Sequence, residues 1–199
     1  MSSAYTGDMI RAIIFDCFGV LTTDTWEEFL TSLPADQRGA ASVLNRVYDA
    51  GHLTRVEYRR AIQDLTGKQP RYIEDLLGNE IHKNSGLLEF IKQLKPAYKL
   101  GLVSNIGTNW VREYFLTVSE QALFDTFVFS FEVGLVKPDE RIYRLVSDRL
   151  GVPPEACVMI DDVECNCRGA EAIGMQAIVY QNVSQMREEL RAILTSEVS

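Results

Sequence analysis

Four apolar runs of the sequence each end in side chains able to do chemistry. Phe15-Asp16-Cys17-Phe18-Gly19-Val20 sets a carboxylate after residues 10–15, and Val103-Ser104-Asn105 sets a hydroxyl and an amide after a second run. Gly134-Leu135-Val136-Lys137-Pro138-Asp139 brings a lysine soon after a third. Ile160-Asp161-Asp162 closes a fourth with paired carboxylates, and Asn166 follows four residues later. Taken singly, each has an ordinary structural explanation: Asp16 or Ser104 as a cap or turn former, Lys137 as a solvated lysine, Asp161 and Asp162 as acids at a helix start. Four in order at the ends of apolar runs call for a common explanation. Adjacent carboxylates repel unless a cation sits among them, and hard oxygen donors suit Mg2+, which keeps several waters and shares its shell with a phosphate. Gly107 after Ser104 reads as a flexible turn into a helix whose free N–H groups can hold an anion, and Pro138 as the opening of another helix.

The runs themselves, at 10–15, 100–104, 126–131, 157–160 and 177–180, are near-continuously apolar and rich in β-branched residues. That pattern predicts strands covered on both faces in a parallel sheet. Helical patterns at 87–94, 109–115, 139–150 and 165–173 separate the later runs, so the predicted fold class is α/β with a doubly wound parallel sheet. Residues 23–84 break the alternation. They read as helices at 26–33, 37–48, 55–65 and 72–77 separated by Pro34, Gly51, Gly67 with Pro70, and Gly78. An insertion directly after the first strand lies over the carboxyl edge of the sheet, where open α/β sheets bind ligands, and so reads as a lid. The expected organisation is a core of residues 1–22 and 85–199 with a helical cap of residues 23–84.

Composition bounds the function. The chain has 199 residues, 46% hydrophobic and 24% charged, which is ordinary for a globular domain. Its net charge of -8 and lack of a basic run argue against nucleic acid as the partner. No basic leader followed by an apolar stretch, and no run long enough to span a bilayer, is present, so a cytoplasmic protein without a membrane partner is expected. Cys17, Cys157, Cys165 and Cys167 lack zinc or redox spacing and read as reduced core thiols.

In this order and on these strands, the four segments resemble the motifs of the haloacid dehalogenase-like hydrolase superfamily, and the insertion resembles its first-position helical cap. Gly51-His52-Leu53-Thr54 also looks like a cap segment of that group. The resemblance implies a Rossmann-like core and makes Asp16 the nucleophile, Ser104 with Asn105 and Lys137 the phosphate-binding set, and Asp162 with Asn166 the metal-site residues, preceded by Asp161. It further implies Mg2+ held by Asp16, the Phe18 carbonyl and Asp162, and a small phosphate monoester hydrolysed through an aspartyl-phosphate. One position departs from the pattern. Phosphatases of the superfamily carry an acid/base Asp two residues after the nucleophile, where this chain has Phe18. Its loss should slow turnover, because such a group is worth about 10² to 10⁴ in rate. An aromatic residue there, with Tyr143 six residues past Lys137, also resembles the 2-haloacid dehalogenases, whose halide leaving group needs no proton. A third alternative is a catalytically weak phosphate- or partner-binding module. His52 and His82 are the histidines available to replace the missing acid.

Overall fold

The computed structural model describes residues 9–69 and 82–196. At its centre lies a parallel sheet of five strands in the order β3-β2-β1-β4-β5. The strands are β1 (Ala12–Phe15), β2 (Lys99–Ser104), β3 (Thr126–Phe129), β4 (Cys157–Asp161) and β5 (Gln176–Val179). Between β1 and β2 run α1 (Trp26–Ser32), α2 (Ala35–Asp49), α3 (Arg55–Thr66) and α4 (Ser85–Leu94). Two single-turn helices, α5 (Val118–Gln121) and α6 (Ser130–Val133), flank β3. Then α7 (Glu140–Leu150) precedes β4, α8 (Glu164–Glu171) joins β4 to β5, and α9 (Val183–Ser196) follows. This is the doubly wound α/β architecture that the strand and helix patterns predict.

Pleating divides each strand between two layers. Ile13 and Phe15 of β1 lie with Leu100, Leu102, Val158 and Ile160 under α4 and α9. Ala12 and Ile14 face the other way, with Val103, Val128 and Met159, against Ile142, Val146 and Leu150 of α7 and Ala170 of α8. Strands packed on both faces have no solvent side, so their sequences carry no polar alternation. Every strand residue of β1 and β4 is buried.

Between β1 and α4, Phe29, Leu33, Ala41, Tyr58 and Ile62 of α1 to α3 and their connections form a separate small core. Thr54 starts α3 with a reciprocal capping box: its hydroxyl accepts from the Glu57 N–H, and its own N–H donates to the Glu57 carboxylate. The helix expected at 72–77 lies outside the described residues. The far end of α2 rests on the sheet edge at two places. The Tyr48 ring lies so close to Gly107 that a Cβ there would be 2.5 Å from the ring, and a Cβ on Gly51 would be 2.7 Å from the Phe131 carbonyl oxygen.

Several local expectations are corrected. β3 ends at Phe129, and Phe131 belongs to α6, which ends at Gly134 in the left-handed conformation. Pro138 does not open α7; Asp139 is its N-cap, accepting from the Arg141 N–H, and Pro138 stands outside after a cis Lys137–Pro138 bond. The segment expected as a helix over 109–115 is a short π-helical stretch, Val111–Phe115. Gly107 lies in the bend that leads into this stretch, and its missing Cβ also makes room for Tyr48. Cys17, Cys157 and Cys167 are buried thiols, but Cys165 is exposed because it sits on the outer side of α8.

Candidate active site

The chain leaves β1 toward β2 and β3 on one side and returns to β4 on the other. The carboxyl ends of β1 and β4 are thus the switch point of the sheet, where a crevice opens. Phe15 pairs with both Leu102 and Ile160, so one residue further on Asp16 comes level with Asp161. The Asp16 N–H donates to the Ile160 carbonyl at 2.9 Å, which continues the ladder to the edge. Ser104 ends the neighbouring strand β2.

Lys137 reaches into this edge from the loop before α7. Its Nζ lies 2.8 Å from Asp16 Oδ2 and 2.5 Å from Asp161 Oδ2, with all three side chains buried. Burial works against the lysine's charge, but the two carboxylates overcome it and raise its pKa. Asp161 is held in turn, its Oδ1 accepting from the Val163 N–H and from Asn166 Nδ2, both at 2.9 Å. Asp16 Oδ1 accepts from the Cys17 N–H at 2.6 Å. Burial raises the Asp16 pKa well above the ordinary carboxylate range, against the pull of Lys137 and with help from Asp161. The Asn105 side chain exchanges two hydrogen bonds with the Lys137 backbone, at 2.8 and 3.2 Å, and so ties the end of β2 to the lysine loop. Ser104 Oγ is buried and has no hydrogen-bond partner among the described residues.

Asp162 stands apart from this clamp. Gly19, at φ +78°, turns the loop after β1 so that the Asp162 carboxylate occupies the space a Cβ would take, 2.0 Å from its ideal position. Gly19 thus serves two needs, a left-handed turn and room for a carboxylate. Burial, and then the charge of Asp161, raise Asp162 to about 6. Oxygens of Asp16, Asp161 and Asp162 lie within 4.8 Å of one another, an arrangement able to hold a metal ion. The Phe18 ring turns sideways and stacks on Trp110 at 6.0 Å between centroids.

Above these groups is a cavity of about 330 Å³, lined by Asp16, Phe18, Lys137, Asp162 and Asn166 from the sheet edge and by Trp26, Asn45, Tyr48, Asp49, Arg55 and Tyr58 from α1 to α3. The structure brings Asp16, Lys137, Asp161, Asp162 and Asn166 together, with Ser104, Asn105 and Phe18 around them. His52 and His82 are exposed, and neither lines this cavity. Tyr143 is buried below the site, its hydroxyl donating to the Asn166 carbonyl at 2.7 Å. Sequence reasoning missed Asp24, Asn45, Asp49, Tyr58 and Trp110. Asp49 did leave a signal, since a carboxylate at the last position of a helix opposes the helix dipole and needs another reason to be there.

The chain is similar in sequence to the drimenol cyclase drtB of Aspergillus calidoustus, 25% identical over 94% of this chain but only 37% of that protein. It is 26% identical to the phosphatase MT3486 of Mycobacterium tuberculosis over 94% of both chains. A HAD family enzyme from Bacteroides thetaiotaomicron, solved in complex with magnesium and inorganic phosphate, superposes with a TM-score of 0.68 at 22% identity, covering 86% of this chain and 94% of that one. The sequence profile of the haloacid dehalogenase-like hydrolases matches residues 10–174, a span that includes every group at the sheet edge. The chain belongs to the haloacid dehalogenase-like hydrolases.

Proposed function

We propose that the protein is a Mg2+-dependent phosphatase that moves the phosphoryl group of a small phosphate monoester first to Asp16 and then to water. The observation that carries this reading is the division of labour among the acids: Lys137 clamps Asp16 to Asp161, while Asp162, packed against Gly19, takes part in none of the ion pairs among the described residues. The donor set fits a hard divalent ion. Asp16, Asp161 and Asp162 face one buried lysine, and the Asp162 pKa is raised by burial first and then by the charge of Asp161. Asp16, the Phe18 carbonyl and Asp162 would hold Mg2+, which when bound neutralises charge on the phosphoryl oxygens and keeps Asp16 ionised.

In this mechanism Asp16 attacks phosphorus, which splits one difficult displacement into two easier ones. Lys137 and the unpartnered Ser104 hydroxyl hold phosphoryl oxygens as charge shifts among them. Asp161, steadied by Asn166 and the Val163 N–H, keeps the lysine in place, and Asn105 fixes its backbone. Residues 23–84 act as a cap on the core of residues 1–22 and 85–199, and α1 to α3 supply the upper wall of the cavity. A cavity of about 330 Å³ suits a small molecule rather than a polymer. Among the described residues no helix is long and apolar enough to cross a membrane.

The similarity to a phosphatase, and to an enzyme that binds magnesium with phosphate, supports this reading. The dehalogenase alternative loses Tyr143, whose hydroxyl is already engaged with Asn166 away from the cavity. A panel of small phosphate esters assayed with Mg2+ and with EDTA tests the proposal. Phosphate release that EDTA abolishes is expected. Activity unchanged by EDTA, or halide release from 2-chloropropionate, contradicts it.

Gly19→Ala probes the metal site. The new methyl would have to displace Asp162 or unwind a left-handed turn, so the variant should lose the Mg2+-induced rise in melting temperature expected of the wild type. An undiminished Mg2+ shift in the variant would remove Asp162 from the ligand set.

A further inference from the structure

We propose that Asp49, at the end of α2, is the proton donor and acceptor of this site, taking from the cap side the part that Phe18 cannot play from the core. The inference rests on the phosphatase reading above. Asp49 lines the same cavity as Asp16, Phe18 and Lys137. It is also held there from both sides, because Tyr48 just before it packs on Gly107 and Gly51 just after it packs on the Phe131 carbonyl. The acid therefore belongs to a part of α2 that is seated on the sheet edge.

A hydrogen-bonded chain sets its orientation. The buried Tyr58 hydroxyl, whose pKa burial pushes far up, keeps its proton and donates to Asn45 Oδ1 at 2.8 Å. That fixes the amide, so Asn45 Nδ2 donates to Asp49 Oδ2 at 2.9 Å. The Tyr58 ring is locked in turn by stacking on Tyr48, 4.2 Å between centroids and 3° from parallel. With Oδ2 held by the amide, Oδ1 has no partner among the hydrogen bonds of the described residues and is the atom assigned to the proton transfer.

The surroundings suit a group that both gives and takes a proton. Asp49 shares the cavity with Asp24 from the loop before α1, Arg55 and Tyr58 from α3, Tyr48 from its own helix, and Asp16, Lys137 and Asp162 from the sheet edge. Burial, then the charge of Asp24, raise it to about 7 against the pull of Lys137. An acid with such a pKa near neutrality can serve in both directions. Other groups fit less well. Asp24 is exposed, and its Oδ1 accepts the Trp26 N–H at 2.7 Å. His52 and His82 lie outside the cavity.

In the first step an Asp16 oxygen bonds to phosphorus, the bond to the ester oxygen breaks with its electron pair, and that oxygen takes the proton of the Asp49 carboxyl. In the second, the Asp49 carboxylate takes a proton from water as the water oxygen bonds to phosphorus, and Asp16 leaves as a carboxylate with inorganic phosphate.

The test compares kcat/KM, which reports the steps through departure of the alcohol, for glycerol phosphate and p-nitrophenyl phosphate at saturating Mg2+. Asp49→Asn should lose about 10² to 10⁴ on the alkyl ester and less than about tenfold on the nitrophenyl ester, whose leaving group needs little protonation. Asp24→Asn should affect both esters alike. Equal effects of Asp49→Asn on the two esters, or the leaving-group dependence appearing in Asp24→Asn instead, overturn the assignment alone. A wild type that releases phosphate from neither ester overturns the phosphatase reading and this assignment with it. A second readout does not use activity. A carboxyl whose pKa folding raises contributes stability at low pH that is lost as pH rises through its folded value, here about 7. The melting temperature of Asp49→Asn should therefore gain on the wild type across that window, and a difference independent of pH overturns the assignment.

Discussion

Asp16→Asn should fold and bind Mg2+ weakly or not at all, and it should lose turnover on the order of 10⁴-fold or more, as expected when a nucleophile acting in a concerted set is removed. The exchange is nearly isosteric, and Lys137 keeps Asp161 as its partner at 2.5 Å, so the clamp is not left with an uncompensated cation. Stability should move in a defined direction with pH. Folding raises the Asp16 pKa, so the wild type binds this proton more tightly when folded and loses stability as pH rises above the ordinary carboxylate value. Asparagine does not titrate. The melting temperature of the variant relative to wild type should therefore rise from acid to neutral pH in metal-free buffer. Phosphate-release assays and melting curves check the two halves of the result. Full activity in Asp16→Asn would place the nucleophile elsewhere.

Lys137→Met carries the second large effect, and on the fold as well as on turnover. The lysine is 3% exposed and lies between two buried carboxylates that have no other cation within reach among the described ion pairs. Removing one partner of a buried pair costs about 3 to 5 kcal/mol, because the remaining charge is stranded in a low-dielectric site. Here the loss should be greatest at neutral pH and smaller in acid, where Asp16, whose pKa burial already raises, can take up a proton in the variant. Urea unfolding at the two pH values measures it. Asp161→Asn in the same background should recover part of the loss by removing one stranded charge, and a loss equal at both pH values would mean that the lysine acts through packing alone.

The fold was largely legible because a strand buried on both faces is apolar at every position, and a polar residue then marks its end. Asp16, Ser104 and Asp161 stand out in this way, after Phe15, Val103 and Ile160. What the spacing could not assign was the split between neighbours. Asp161 and Asp162 look alike in sequence, and only the packing of Gly19 against Asp162 and of Lys137 against Asp161 separates a carboxylate free for a cation from one already paired. Asn105 likewise reads as a phosphate-binding residue and Asn166 as a supporting one, and their side chains hold the Lys137 backbone and Asp161. The cap side was less legible. Asn45, Asp49 and Tyr58 meet only when α2 and α3 pack together, and no local pattern records that contact. At the other end of the chain, α9 carries a thin apolar stripe among polar residues. It becomes recognisable through Met186 and Leu190, which are buried with Ile178 against the sheet.

The central claim is that a phosphoryl group passes through Asp16, and rapid quench of a single turnover tests it most directly. Wild-type enzyme mixed with a phosphate-labelled ester and Mg2+ should, when quenched in acid, carry label on the peptide that contains Asp16. That label should be removed by hydroxylamine and absent from Asp16→Asn. Labelled phosphate released at the same rate with no label ever found on the Asp16 peptide would contradict the account.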